Sequence, residues 1–109
     1  MPWLLMTGTK DVAEVGDATL EDRLAVYPAL SGRGDAYELL LDGAEHHAFG
    51  DAPARKGQTP KNPAHHRAIQ AISTAFLDAH LREQSGARSW LRGESARSVL
   101  QAADKWQYK

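Results

Sequence analysis

Cysteine is absent from all 109 residues, which excludes disulfides, thiolate catalysis and cysteine-ligated zinc. That absence leaves the redox compartment open, since a cysteine-free chain suits either side of a membrane. An excess of one charge is also missing. Thirteen Lys and Arg stand against fourteen Asp and Glu, for a formal net charge of −1, so composition gives no reason to expect a nucleic-acid or membrane-surface partner. No long hydrophobic run occurs: Trp3-Leu-Leu-Met6 is too short for a membrane span or a signal-peptide core, and no basic stretch precedes it. If the natural chain begins upstream of Met1, a targeting segment could lie there, so localisation is unknown. Internal repeats and low-complexity segments are lacking. The five histidines, at 46, 47, 65, 66 and 80, form no His-x-x-x-His or His-Glu-x-x-His spacing. Adjacent side chains on a helix diverge by about 100°, so His65 and His66 do not easily face one ion. No metal and no cofactor is expected.

What is present is ordinary globular composition, 42% hydrophobic and 25% charged, at a length that suits one domain or less. Two short apolar runs are continuous rather than alternating, the pattern of strands covered on both faces. The first strand is expected at about 3–7, followed by Gly8; the second at about 37–42, with its apolar run at 39–41, followed by Gly43. Between them, Thr19-Leu-Glu-Asp22 has the form of a capping box. A helix from about Leu20 presents Leu20, Leu24 and Tyr27 on one side, with Pro28 at its end. Ser31 to Asp35 is a turn. A connection of this length is a crossover rather than a hairpin, so the strands are parallel and Asp11 and His46 leave from the same end of the sheet. If the strands are neighbours, about 4.8 Å apart, the two side chains can meet. A group just past such a strand end stands where open α/β sheets place ligands and catalysts.

Residues 50–63 read as a loop, with Asn62-Pro63 as a helix start. The helix that follows carries Ile69, Ile72, Ala75, Phe76 and Ala79 on a core stripe, and Gly86 is its expected stop. His80 is expected to cap carbonyls or lie at the surface. Ser89-Trp90-Leu91 suggests a short turn, and Ala96, Val99, Leu100 and Ala103 a final amphipathic helix near Trp106. Trp90 and Trp106 read as packing residues. Two strands with three or four helices leave sheet edges open. The chain reads as the second half of a larger sheet, a single partial domain over 1–109.

Trp3-Leu-Leu-Met-Thr-Gly-Thr-Lys-Asp11, followed by Leu-Leu-Leu-Asp-Gly-Ala-Glu-His46-His-Ala-Phe49, resembles the C-terminal portion of α/β hydrolases, closest to the dienelactone-hydrolase-like and secreted-esterase branch. In that family a strand ending in Gly-x-x-Asp supplies the acid of the triad. The next strand ends in Gly-Ala-x-His-x-x-Phe and supplies the histidine. The resemblance places Asp11 and His46 in those roles, in the family's order of acid before histidine. Ser73 to Leu81 looks like its closing helix. The fold class it implies is α/β: a partial hydrolase sheet of at least two parallel strands with a crossover helix and C-terminal helices. The chain departs from the pattern in one large respect. Gly-x-Ser-x-Gly is absent, and the six serines (31, 73, 85, 89, 95, 98) fall in turns or helices. Nucleophile and oxyanion hole would lie outside this chain.

In the hydrolase reading His46 takes the proton of a serine hydroxyl as it attacks an ester carbonyl, then returns it to the leaving group, while Asp11 holds the other ring nitrogen. Imidazole suits this work because its unperturbed pKa of about 6.5 lies near neutral pH. For His46 the competing reading is a solvated loop histidine, and His47 is the rival base. Asp11 could instead be a turn or cap aspartate, with Glu14 and Asp17 as nearby alternatives. The first functional expectation is the C-terminal segment of a serine esterase acting on a small-molecule carboxylic ester, inactive as this chain alone. The second is a non-catalytic remnant serving as an interaction or oligomerisation module, its edges covered by the missing N-terminal half or another copy. The substrate is not named by any residue, although loop 50–63 could form one wall of a site.

Overall fold

The computed structural model describes residues 1–11, 19–31, 35–50, 52–57 and 60–109. Strand β1 (Trp3–Lys10) lies parallel to β2 (Ala36–Glu45), and β2 pairs antiparallel with β3 (Lys105–Tyr108), in the spatial order β1-β2-β3. The architecture is therefore α/β with a mixed sheet. Because β2 is central, its continuous apolar run has an immediate cause: every residue from Ala36 to Leu41 is buried. Tyr37, Leu39 and Leu41 enter a cluster with Ala68, Ile72 and Leu91, joined at its margin by Leu4, Met6 and Trp106. Ala36, Glu38 and Leu40 point to the opposite face by the two-residue period of a strand.

Both strands are longer than the apolar runs that announced them, because neither glycine ends its strand. A Cβ on Gly8 would lie 2.2 Å from the Ala44 carbonyl oxygen, so residue 8 lets two backbones approach where a side chain cannot fit. Gly43 adopts φ +78°, a left-handed conformation that favours glycine. Pairing accordingly jumps from Gly8↔Leu41 to Lys10↔Glu45, an irregularity of the bulge type. The glycines bend and re-register the strand ends, and pairing resumes beyond them.

The crossover is helical, as its capping box implies. Thr19 and Asp22 exchange side-chain and backbone hydrogen bonds at the start of α1 (Leu20–Leu24). A break at Ala25 separates it from α2 (Val26–Ala29), in which Pro28 is internal. The proline is tolerated there because a helix's first turn leaves backbone N–H groups without intrahelical partners. α1 meets β1 and α2 meets β2.

Helix α3 (Pro63–His80) starts as expected, the Asn62 side chain accepting from Ala64 N at 2.9 Å. It stops at His80, well before Gly86, and Glu83 supplies the left-handed residue of the turn at φ +53°. Gly86 falls instead inside α4 (Ser85–Arg92), which also absorbs the expected short turn at 89–91. The expected final helix is absent. In its place stand a 3-10 segment, Glu94–Val99, and strand β3. Ala96, Val99 and Leu100 are still buried or half-buried, so their helical spacing marked an inward face without marking a helix.

Long-range bonds explain that outcome. The buried Asp104 carboxylate accepts from Asp42 N and from Gln101 N, both at 2.8 Å. Arg97 donates to the carbonyls of Gln101, Ala102 and Asp104, closing the turn before β3. Trp106 then stacks on Tyr37 with ring centroids 5.6 Å apart and donates its indole N–H to Leu91 O at 3.0 Å. Trp106 is thus a packing residue, and Trp90 also packs at the core margin.

Candidate active site

The register delivers two side chains to one point. Lys10 pairs with Glu45, so Asp11 and His46 are the next residue on each of two parallel strands, at the same end of the sheet. Asp11 is held in a tight turn by its N–H donating to Gly8 O at 3.0 Å. Its side chain is only 4% exposed. The Thr7 hydroxyl donates to Asp11 Oδ2 at 2.9 Å, which orients the carboxylate from below.

His46 opens a 3-10 turn, His46–Phe49, that follows β2 directly. Its Nδ1 lies 3.0 Å from Asp11 Oδ1. The imidazole is 66% exposed, so one ring nitrogen engages the buried acid while the ring as a whole faces outward. With Nδ1–H donating to the carboxylate, Nε2 carries the lone pair, the tautomer a general base requires. Arg23 of α1 forms an ion pair with the same Oδ1. Three elements therefore converge on one carboxylate: β1 through Thr7, α1 through Arg23, and the turn after β2 through His46.

The rival base goes elsewhere. His47 Nδ1 is 3.3 Å from Glu45 Oε2, and the ring lines a cleft of about 180 Å³ between the turn and the start of α3. Pro60, Lys61, Asn62 and His65 form its far wall, so the end of loop 50–63 borders this cleft. His65 is buried and donates Nε2–H to Asp42 O at 2.8 Å, while His66 is exposed. Among the described residues no group of three acidic, histidine or cysteine side chains is arranged to hold a metal ion. Glu14 and Asp17, the alternatives to Asp11, lie outside the described residues. A second cleft of about 220 Å³ opens beside Arg23, lined by Leu5, Met6, Thr7, Val26 and Glu38.

At the other end of β2 stands a second polar cluster. Arg88 grips Asp35 through two bonds of 2.7 Å, and Arg92 adds a third of 2.6 Å. Burial by itself would raise the Asp35 carboxyl, but the two guanidinium groups outweigh it and hold it below the usual carboxylate range. His80, expected at the surface, is instead 9% exposed in its side chain, packed on Phe76 and 3.3 Å from the Tyr37 hydroxyl. Burial first, then Arg88 and Arg92, hold its imidazole below the ordinary value against the opposing pull of Asp35. This cluster ties α3 and α4 to the start of β2. It is remote from Asp11.

Sequence reasoning missed Thr7 and Arg23. Thr7 carried a readable signal, since it precedes Asp11 by four residues across a turn built on glycine. Arg23 carried none, because its reach depends on where the crossover packs. No protein-family model, no curated protein and no solved structure matches the chain.

Proposed function

We propose that Asp11 and His46 are the acid and base of a Ser–His–Asp triad, and that this chain is the C-terminal segment of an α/β-hydrolase-type esterase. The serine of the triad lies outside this chain. The observation that carries the reading is the 3.0 Å contact between a 4%-exposed carboxylate and the Nδ1 of a 66%-exposed imidazole. In the reaction His46 Nε2 accepts the serine proton as the hydroxyl attacks the ester carbonyl, and returns it to the departing alkoxide. Asp11 fixes the tautomer and stabilises the imidazolium that forms. The test is to express the whole reading frame that contains this chain and expose it to a fluorophosphonate, which phosphonylates activated serines with loss of fluoride. A labelled serine, with labelling lost in His46→Ala and slowed by orders of magnitude in Asp11→Asn, supports the reading. Absence of labelling, or labelling indifferent to both residues, contradicts it.

A second reading rests on the sheet edge. β1 has no strand on its outer side among the described residues, and Trp3 at its start is 44% exposed. An unpaired edge strand of eight residues is a template for pairing with another chain. Under this reading the chain is an interaction module. Sedimentation as a dimer or larger supports it; a stable monomer at every concentration counts against it.

A further inference from the structure

We infer that Arg23 is a positioning residue of the Asp11–His46 pair: it gives the buried carboxylate a permanent counter-charge, so His46 can hold Asp11 as a neutral ring. The inference rests on reading Asp11 and His46 as an acid–base pair. It begins from the geometry of one oxygen atom. Asp11 Oδ1 is ion-paired with Arg23 Nη1 and lies 3.0 Å from His46 Nδ1, and a carboxylate oxygen has lone pairs enough to engage both. Oδ2 is occupied by the Thr7 hydroxyl.

A carboxylate only 4% exposed carries a desolvation cost that a nearby positive charge offsets. Thr7 is neutral. The cations within reach, among the described residues, are the Arg23 guanidinium and a protonated His46. A guanidinium does not give up its proton, whereas an imidazole does. With Arg23 in place, the charge of Asp11 is met without the histidine. The ring then needs only its Nδ1–H to hold the carboxylate, and Nε2 stays open as a base. Without Arg23, His46 is the remaining cationic partner of Asp11 among the described residues, and the ring's protonated form gains in population. A protonated ring cannot accept the proton of an attacking hydroxyl.

The placement of Arg23 shows how the fold provides this. α1 is five residues long and begins at the Thr19–Asp22 capping box, which fixes the helix start directly before residue 23. The Arg23 side chain, 26% exposed, lines one cleft with Thr7 and meets Asp11 just past the end of β1. The crossover thus does more than connect parallel strands. It places a fixed cation on the acid that its two flanking strands bring to the histidine.

The experiment uses the whole reading frame that contains this chain, ¹⁵N-labelled at histidine, and reads the His46 ring nitrogens by long-range ¹H–¹⁵N correlation at pH 7. The wild-type ring is expected neutral, with its proton on Nδ1. Arg23→Gln should raise the ratio of imidazolium to neutral ring by a factor on the order of three to ten. Arg23→Lys, which keeps the charge, should stay near wild type. In the double variant Arg23→Gln/Asp11→Asn the rise should vanish, because no carboxylate remains to be neutralised. Leu24→Ala, on the same helix, should lower the melting temperature without moving the ring signals, separating positioning from a merely structural role.

An Arg23→Gln ring identical to wild type overturns the inference, and so does an imidazolium in the wild-type chain at pH 7. Should Arg23→Gln lose its folded amide spectrum, Arg23→Met carries the same expectation. If Asp11→Asn alone leaves the His46 ring unchanged, the pair itself is absent and the acid–base reading fails. If Asp11→Asn moves the ring and Arg23→Gln does not, only the role of Arg23 fails.

Discussion

Gly8 and Ala44 face each other so closely that a Cβ on residue 8 would lie 2.2 Å from the Ala44 carbonyl oxygen and 2.5 Å from its Cβ. The contact sits immediately behind both site residues, three positions before Asp11 and two before His46. Gly8→Ala should therefore push β1 and β2 apart at their C-terminal ends. We expect a loss of about 2 kcal/mol or more in urea unfolding, together with loss of the Asp11–His46 contact. A loss under about 0.5 kcal/mol, the range of an ordinary surface change, would mean that the close approach is not a requirement of the fold.

The Asp35–His80 cluster makes stability fall with acid. His80 is held below its ordinary imidazole value of 6.5, chiefly by burial, so the native state binds its proton less readily than the unfolded chain. Stability from this group is complete above about pH 6.5 and declines as pH falls from there toward the depressed native value. Asp35 is held below its ordinary 3.8. Its contribution is present above that value and is lost as pH falls through its lower native one. Both terms have the same sign, and no rise in stability toward acid is expected from either. Urea midpoints measured from pH 7.5 to 3 should fall in two stages, with His80→Gln removing the upper one. A flat profile from pH 7 to 5 in the wild type would contradict this assignment.

Asp104 is 4% exposed and joins the Asp42 backbone of β2 to the turn at Gln101. Asp104→Ala leaves two backbone N–H groups without their acceptor, at a cost of about 1–3 kcal/mol each where they stay buried. Asp104→Asn keeps one acceptor oxygen and should cost less. Hydrogen exchange should show the β3 amides opening first in the alanine variant. Unchanged β3 protection would show that the strand is held by Trp106 and Tyr108 alone.

The parts of the fold that were legible in the sequence are those fixed by local chemistry. The Thr19–Asp22 box, the Asn62 cap with Pro63, and the continuous burial of Tyr37 to Leu41 could each be read from a few adjacent residues. The pair at the strand ends was also legible, because parallel strands joined by a crossover put Asp11 and His46 at one end whatever the packing. What escaped was decided at long range. β3 forms because Trp106 finds Tyr37 and because Asp104 finds Asp42, contacts spanning about sixty residues or more that no local period encodes. The apolar spacing of Ala96, Val99 and Leu100 therefore suggested a helix where the chain makes a 3-10 segment and a strand. His80 was misplaced for a similar reason. A histidine in a last helical turn is ordinarily a surface cap, and only the arrival of Tyr37 beneath it makes the site an interior one.

Whether Asp11 holds the His46 ring is decided by the tautomer of His46 in the wild-type chain and in Asp11→Asn, read from the ring nitrogen shifts at a pH where the ring is neutral. The 3.0 Å contact with Asp11 Oδ1 predicts a proton on Nδ1 in the wild type. In Asp11→Asn, whose amide no longer presents a charged acceptor, the population should move toward the Nε2–H form. A wild-type ring already in the Nε2–H form, unchanged by Asp11→Asn, would show that the acid does not hold the histidine, and the triad reading would fall with it.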